Sequence, residues 1–356
     1  MCRPRERRDQ MSEHIGVGVV GLGYWGPNLL RVLTELPGVQ VRAICDLDAE
    51  RLNRFAQRHP SVRATSRLDD LLEDPAIAAI VIATPVFSHY EIAGRCLDAG
   101  KHTFVEKPLA ASTEHATNLV ARAAARDLRL MCGHVFLYSP PVRAIQDLLA
   151  KGELGEVYFI SSSRVNLGLH QRDVSVVWDL GPHDFSILLS WLGESPTSVR
   201  AIGRDSIVSG LPDVAFIDLA FASGVIAHVE LSWLSPSKLR RTVVVCSERM
   251  VVYEDGGIEP LRIFDHGVVY RDPETFGEFH LSYRTGDIVS PKLDTSEPIV
   301  LELEDFFGLI RRGRSRDDHL ELACDVVGLI EAAELSLQRD GERVPFAGTF
   351  GSVARD

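Results

Sequence analysis

No apolar run in the sequence approaches the roughly 18 residues that a bilayer-spanning helix needs. The longest, Ala76 to Ala83, is eight residues of buried-strand composition. Cysteine is sparse and scattered: Cys2, Cys45, Cys96, Cys132, Cys246 and Cys324 form no C-x-x-C pair and have no histidine cluster beside them. This excludes a disulfide-stapled scaffold and gives no metal site, so the six read as reduced core thiols of a cytoplasmic protein. Positive charge is in deficit, with 38 Lys plus Arg against 50 Asp plus Glu and a net charge of -12. A phosphate-tracking surface for nucleic acid does not suit that balance. Internal repeats and low-complexity segments are also missing. Met1 to Gln10 carries four Arg without the apolar stretch of a secretory signal, and residues 1–12 are expected to be a disordered extension ahead of a second possible start at Met11.

What the chain has is the balance of a folded globular protein, 45% hydrophobic and 25% charged over 356 residues. At roughly 150 residues per domain, that length suggests two. From Ile15, short apolar runs alternate with amphipathic stretches, the pattern of a parallel sheet covered by helices. Strands are predicted at 15–20, 39–45, 77–83, 102–105 and 128–132. Helices are predicted through Leu29–Leu36, ended by Pro37-Gly38, over 49–58, from a cap at Ser88 to Gly100, and over 112–126. After Tyr138 one helix (142–149) precedes runs rich in β-branched residues at 157–165, 198–202, 214–221, 225–233, 242–245 and 250–253. Turns at Ala222-Ser223-Gly224 and Asp255-Gly256-Gly257 point to hairpins, and helices are predicted at 299–311 and 319–339. The expected fold is α/β: a doubly wound parallel sheet over 13–137, then an α+β domain with an open, mostly antiparallel sheet over 138–350.

Gly21-Leu22-Gly23-Tyr24-Trp25-Gly26 lies between a predicted strand and helix, the context in which G-x-G-x-x-G binds a dinucleotide. The first Gly permits the tight turn, the second admits a pyrophosphate, and the third lets helix and strand pack closely. The helix N-terminus adds N–H groups and positive potential. Asp46 ends the second strand twenty residues beyond Gly26, where a carboxylate can accept from a ribose and repel a 2'-phosphate. That favours NAD over NADP, a preference that nearby Arg51 would weaken. Glu106-Lys107-Pro108 follows a strand, at the end of the sheet where ligands bind. Lys107 is there either an ordinary surface lysine or a group that polarises a substrate oxygen. Asp179 and His183, four apart before the apolar stretch 185–192, are either a helix cap and a core histidine or a carboxylate that orients an imidazole base. Ser161 to Gly168, with Arg164 and Asn166, and then Arg172, offers donors for ring hydroxyls or a phosphate. Lys238, Arg240 and Arg241 form a second basic group, which reads equally well as solvated strand-edge charge.

Together the G-x-G-x-x-G, the E-K-P and the D-x-x-x-H resemble the glucose-fructose oxidoreductase/inositol dehydrogenase/rhizopine catabolism (Gfo/Idh/MocA) family, over most of the chain from Ile15 to Val344. The resemblance implies an NAD(P)-dependent sugar or cyclitol dehydrogenase, with a Rossmann domain and a C-terminal domain that joins dimers or tetramers through its open sheet. It implies catalytic roles for Lys107, Asp179 and His183. It also implies cofactor contacts from Gly21, Gly23, Tyr24, Trp25, Gly26, Asp46, Thr84, Pro85, His89, Glu106 and Lys107, and substrate contacts from Arg164, Asn166, Arg172 and His183. The wording around Arg164-Val165-Asn166 and Trp178 to Asp184 is most similar to the branch of UDP-sugar 3-dehydrogenases, which make 3-keto sugars for amino-sugar or natural-product pathways. Alternatives within the resemblance are a myo-inositol, aminocyclitol or free-sugar dehydrogenase, an NAD-recycling glycoside hydrolase, and a non-enzymatic dinucleotide sensor.

Overall fold

A computed structural model of the chain describes residues 14–168, 173–271, 280–314 and 316–351. It divides into two compact units, one running through Gly133 and including Ile299–Leu320, the other made of His134–Pro298 and the chain from Glu321.

The first unit opens with β1 (Ile15–Val20), which is buried from Gly16 onward, as expected of a parallel strand covered on both faces. There follow α1 (Gly26–Glu35), β2 (Val39–Cys45), α2 (Ala49–Arg58), β3 (Arg63–Thr65), α3 (Asp69–Leu72), β4 (Ala79–Ile82), α4 (His89–Asp98), β5 (His102–Glu106), α5 (Thr113–Ala125) and β6 (Leu130–Gly133). All six strands pair in parallel in the order β3-β2-β1-β4-β5-β6. This is the order of a doubly wound nucleotide-binding sheet, and it reverses between β1 and β4. Local chemistry fixes the helix starts. Asp48 accepts from the Arg51 amide to cap α2, and Ser112 accepts from the His115 amide to cap α5. Ser88 occupies the cap position of α4 but does not cap it: a 3-10 turn over Val86–Ser88 leads into the helix, and the hydroxyl bonds Thr84 Oγ1 and the Pro85 carbonyl instead. The short β3 and α3 have no counterpart in the sequence reading.

The second unit contains α6 (Pro140–Ala150), β7 (Val157–Leu167), α7 (Val176–Leu192), β8 (Pro196–Arg204), β9 (Val214–Phe221), β10 (Ile226–Ser232), β11 (Leu234–Cys246), β12 (Met250–Glu254), β13 (Leu261–Arg271) and β14 (His280–Val289). Its nine-stranded sheet has the order β14-β13-β12-β11-β7-β10-β9-β8-β15. Its last strand is the short β15 (Val344–Pro345). The hairpins β9–β10 and β12–β13 form at the two predicted turns. One junction, β7 with β10, is parallel, so the sheet is mixed rather than wholly antiparallel. One face carries Ile160, Val199, Ala201, Ile217, Ala227 and Val229 into the core, against Phe185 and Leu189 of α7. The alternate positions Phe159, Ile202, Phe216 and Ile226 stay exposed, as the two-residue period of a strand dictates.

Two helices complete the chain, α8 (Pro298–Arg312) and α9 (Asp317–Gln338). Residues 299–320 belong to the first unit, where Phe306 of α8 meets Phe104 of β5 edge to face at 5.7 Å. The five cysteines among the described residues are buried and reduced. Among those residues no helix is long and apolar enough to cross a membrane.

Candidate active site

In the first unit the chain between β1 and α1 is shaped around missing side chains. Gly21 has φ +92°, and a Cβ there would stand 2.5 Å from the Ala83 carbonyl oxygen. A Cβ on Gly26 would stand 2.0 Å from the Gly21 carbonyl oxygen, so α1 approaches β1 only because both residues are glycine. At Gly23 a Cβ would meet nothing within 4 Å, which leaves that stretch of backbone open to a ligand. No side chain caps α1, and its first turn holds no acid, so its amides and positive end suit an anion. Tyr24 beside them is 88% exposed. These features fit the pyrophosphate of a dinucleotide.

Asp46 is mostly buried at the end of β2. Its Oδ2 accepts from the Leu22 amide at 2.6 Å and its Oδ1 from the Asp48 amide at 2.9 Å, so it holds the glycine loop. The Arg51 guanidinium lies 3.2 Å from Asp46 and 3.4 Å from Asp48, its charge held by two carboxylates.

At the end of β5, Glu106 is buried, accepts from the Lys107 amide at 3.2 Å and takes a hydrogen bond from the Trp25 side chain. Burial pushes its carboxyl up to about 7, with the Lys107 ammonium the strongest opposing influence. Lys107 is half-buried, and its peptide bond to Pro108 is cis. His89 is buried, with one ring nitrogen 2.9 Å from the Pro108 carbonyl and the other 2.8 Å from that of Thr84. Its imidazole therefore ties the Thr84-Pro85 loop to the Lys107-Pro108 loop. Both ring nitrogens are used in holding these two loops together.

In the second unit, Asp179 and His183 lie one turn apart within α7. The helix starts earlier than the sequence suggested, at Val176, where Ser175 caps the Val177 amide at 3.2 Å. Asp179 is therefore not the cap. Its Oδ2 accepts from the Trp233 indole at 3.1 Å, which anchors the carboxylate from the end of β10. Pro182 sits inside the helix, between the two side chains. The His183 ring stands edge-on to Phe136, 4.9 Å between centroids.

Arg164, expected to contact substrate, lies buried on β7. It is 4% exposed, pairs with Asp184 at 2.5 Å and lies over the Phe136 ring at 4.6 Å. Asp184 also accepts from Ser162 at 2.7 Å, and Ser162 shares a hydrogen bond with Thr242. The guanidinium serves α7 and the ring against His183 rather than facing outward. Asn166, at the end of the same strand, is half-buried. A Cβ on Gly168 would meet its Nδ2 at 3.2 Å and Trp233 Cδ1 at 3.4 Å, so Asn166 gathers with Trp233 near Asp179. Arg172 lies outside the described residues. Arg240 is paired with Asp255, while Lys238 and Arg241 are exposed. Trp233, Phe136 and Asp184 escaped the sequence reading as site residues. The only local signal was Asp184 following His183 directly.

With the geometry in hand, comparison with known proteins defines the class, an oxidoreductase with an NAD-binding Rossmann domain. Residues 15–134 match the oxidoreductase-family, NAD-binding Rossmann-fold profile and residues 142–252 the GFO/IDH/MocA C-terminal domain, and the chain belongs to the Gfo/Idh/MocA family. It is 29% identical to a UDP-N-acetylglucosamine 3-dehydrogenase of Acidithiobacillus ferrooxidans, over 66% of this chain and 72% of that protein. To an inositol 2-dehydrogenase of Corynebacterium glutamicum it is 26% identical, over 62% of this chain and 68% of that one. Among solved structures it is similar to GenD2 from gentamicin A biosynthesis in complex with NAD, with TM-score 0.80 and 27% identity over 98% of this chain and 100% of that one.

Proposed function

We propose that this sugar-type oxidoreductase oxidises the C3 hydroxyl of a UDP-hexose, giving a 3-keto sugar nucleotide for amino-sugar or natural-product biosynthesis. The observation that carries the chemistry is the pair on α7: an imidazole one turn beyond a carboxylate that an indole N–H holds in place. Similarity to the UDP-N-acetylglucosamine 3-dehydrogenase supports the substrate. Bound NAD supplies the hydride acceptor, the nicotinamide C4. His183 takes the proton of the reacting hydroxyl, and Asp179 stabilises the imidazolium that results. The Lys107 ammonium stabilises negative charge growing on the carbinol oxygen.

A second reading, an inositol or aminocyclitol dehydrogenase, draws on the inositol 2-dehydrogenase relative and on Arg164, whose charge is spent on Asp184 and not offered to a diphosphate. The deciding experiment measures NADH formation across UDP-sugars, hexose phosphates, free hexoses and inositols, with an aminotransferase coupled to draw off the ketone. Activity on UDP-hexoses supports the proposal, and activity confined to free cyclitols transfers it to the second reading. Sugar release without net NADH would indicate NAD-recycling hydrolysis, and NAD binding without turnover a sensor.

A further inference from the structure

Glu302 lies on α8 with Glu304 and Asp305 close behind it, and its side chain is fully buried. The reason is positional. Glu302 is one turn before Phe306 and Glu106 is two residues after Phe104, so helix and strand periods put each carboxyl on the same face as a phenyl ring of its own element. The two rings are in contact, which brings the carboxyls to one interface. Gly133 of β6 closes the space beside Glu106, since a Cβ there would stand 3.3 Å from the carboxyl carbon. Among the described residues, neither oxygen of Glu302 meets a hydrogen-bond donor, and neither does Oε1 of Glu106.

Two carboxylates buried at one interface, with no donor on either oxygen of Glu302 or on Oε1 of Glu106, cannot both hold charge, because each would bear the other's repulsion and its own desolvation. A single proton between them removes both problems. We propose that Glu302 is a positioning residue that keeps a proton at neutral pH and donates it as a hydrogen bond to Glu106, holding the Glu106-Lys107 segment at the end of β5. This rests on the reading of Lys107 as the group that stabilises the reacting oxygen.

The charges around the pair assign the proton. Glu106 faces Lys107 and the Trp25 side chain, which favour its ionised form. Glu302 faces Glu106 and, on its own helix, Asp305, both of which disfavour charge on it. Arg316 at 3.0 Å and Arg312 at 3.6 Å are taken up by Asp305. His319, against the Cys132 carbonyl at 2.9 Å, is held neutral by burial down to about 4. No cation is therefore left to neutralise Glu302 among these groups.

The test uses the NAD-bound enzyme. Infrared difference spectra above neutral pH should show the carbonyl stretch of a buried protonated carboxyl, and that band should vanish in Glu302→Gln. The pH profile of kcat should keep its acidic limb in Glu302→Gln, which retains an N–H donor. In Glu302→Leu the limb should move to higher pH, with turnover at neutral pH down about tenfold and the NAD dissociation constant unchanged. Absence of a carboxyl band that responds to Glu302→Gln, or a wild-type pH profile in Glu302→Leu, overturns the proposal. If Glu302→Leu does not fold, the infrared comparison of wild type and Glu302→Gln decides alone. Lys107→Met tests the reading beneath it separately: full turnover in that variant would remove Lys107 from the chemistry and leave the shared proton standing or falling on its own band.

Discussion

Asp46 shows how one side chain can be committed twice. By accepting from the Leu22 amide it sets the glycine loop, and we propose that its charge favours NAD over NADP. Replacing it with Ser should raise the NAD dissociation constant about tenfold, the cost of a lost charged hydrogen bond, and free Arg51 to narrow the preference over NADP. Fluorescence titration with both cofactors checks this. His183→Ala should cut kcat by about 10²–10⁴ while NAD binding persists, and unchanged turnover would remove His183 from the mechanism. The Arg164–Asp184 pair is a buried one, so Asp184→Asn should cost about 3–5 kcal/mol in urea unfolding, because it leaves the guanidinium buried without its counter-charge. His319 gives a signed pH dependence. Its folded-state value, about 4, lies below the ordinary 6.5, so the stability it contributes is complete above pH 6.5 and is lost as the pH falls from there towards 4. His319→Gln should flatten the unfolding free energy of the protein over that window relative to wild type.

Among the elements, legibility followed the strength of the local pattern. The bounds of α2 and β9 were read without error, because Asp48 caps the one and strict alternation of buried and exposed residues marks the other. β13 and β14 were not read at all. Histidine, glycine and aspartate interrupt their apolar residues, so no clean two-residue period marks either strand. The glycine loop and the E-K-P stood out as short runs of consecutive residues with a known backbone requirement, and Asp46 by its spacing from the last glycine. The pairing of Arg164 with Asp184 did not, since no short motif marks it and only the fold brings the two together. Glu302 was invisible for the same reason: a glutamate in an amphipathic helix carries no sign of what packs over it. At this scale the start of α7 is testable. Ser175→Ala removes the cap and should cost about 1 kcal/mol, seen as a lower urea midpoint with an unchanged slope.

For the molecule as a whole, the exposed face of the nine-stranded sheet carries Phe159, Phe216, Ile202 and Ile226, more apolar surface than a solitary sheet usually shows to water. We expect copies of the chain to associate through it. Phe216→Asp should shift the wild-type oligomer towards smaller species in light scattering while NAD binding is kept, and a wild-type monomer at micromolar concentration would refute the expectation. The assignment of 299–320 to the first unit has its own consequence for making the protein. A ribosome releases β1 to β6 early, yet the Phe306 ring that packs on Phe104, and Glu302 one turn before it, follow only about 170 residues later in the chain. A nascent chain stopped at Gly133 should therefore stay open on that side and retain its cofactor poorly. Holoenzyme assembly belongs to the end of translation, not its beginning.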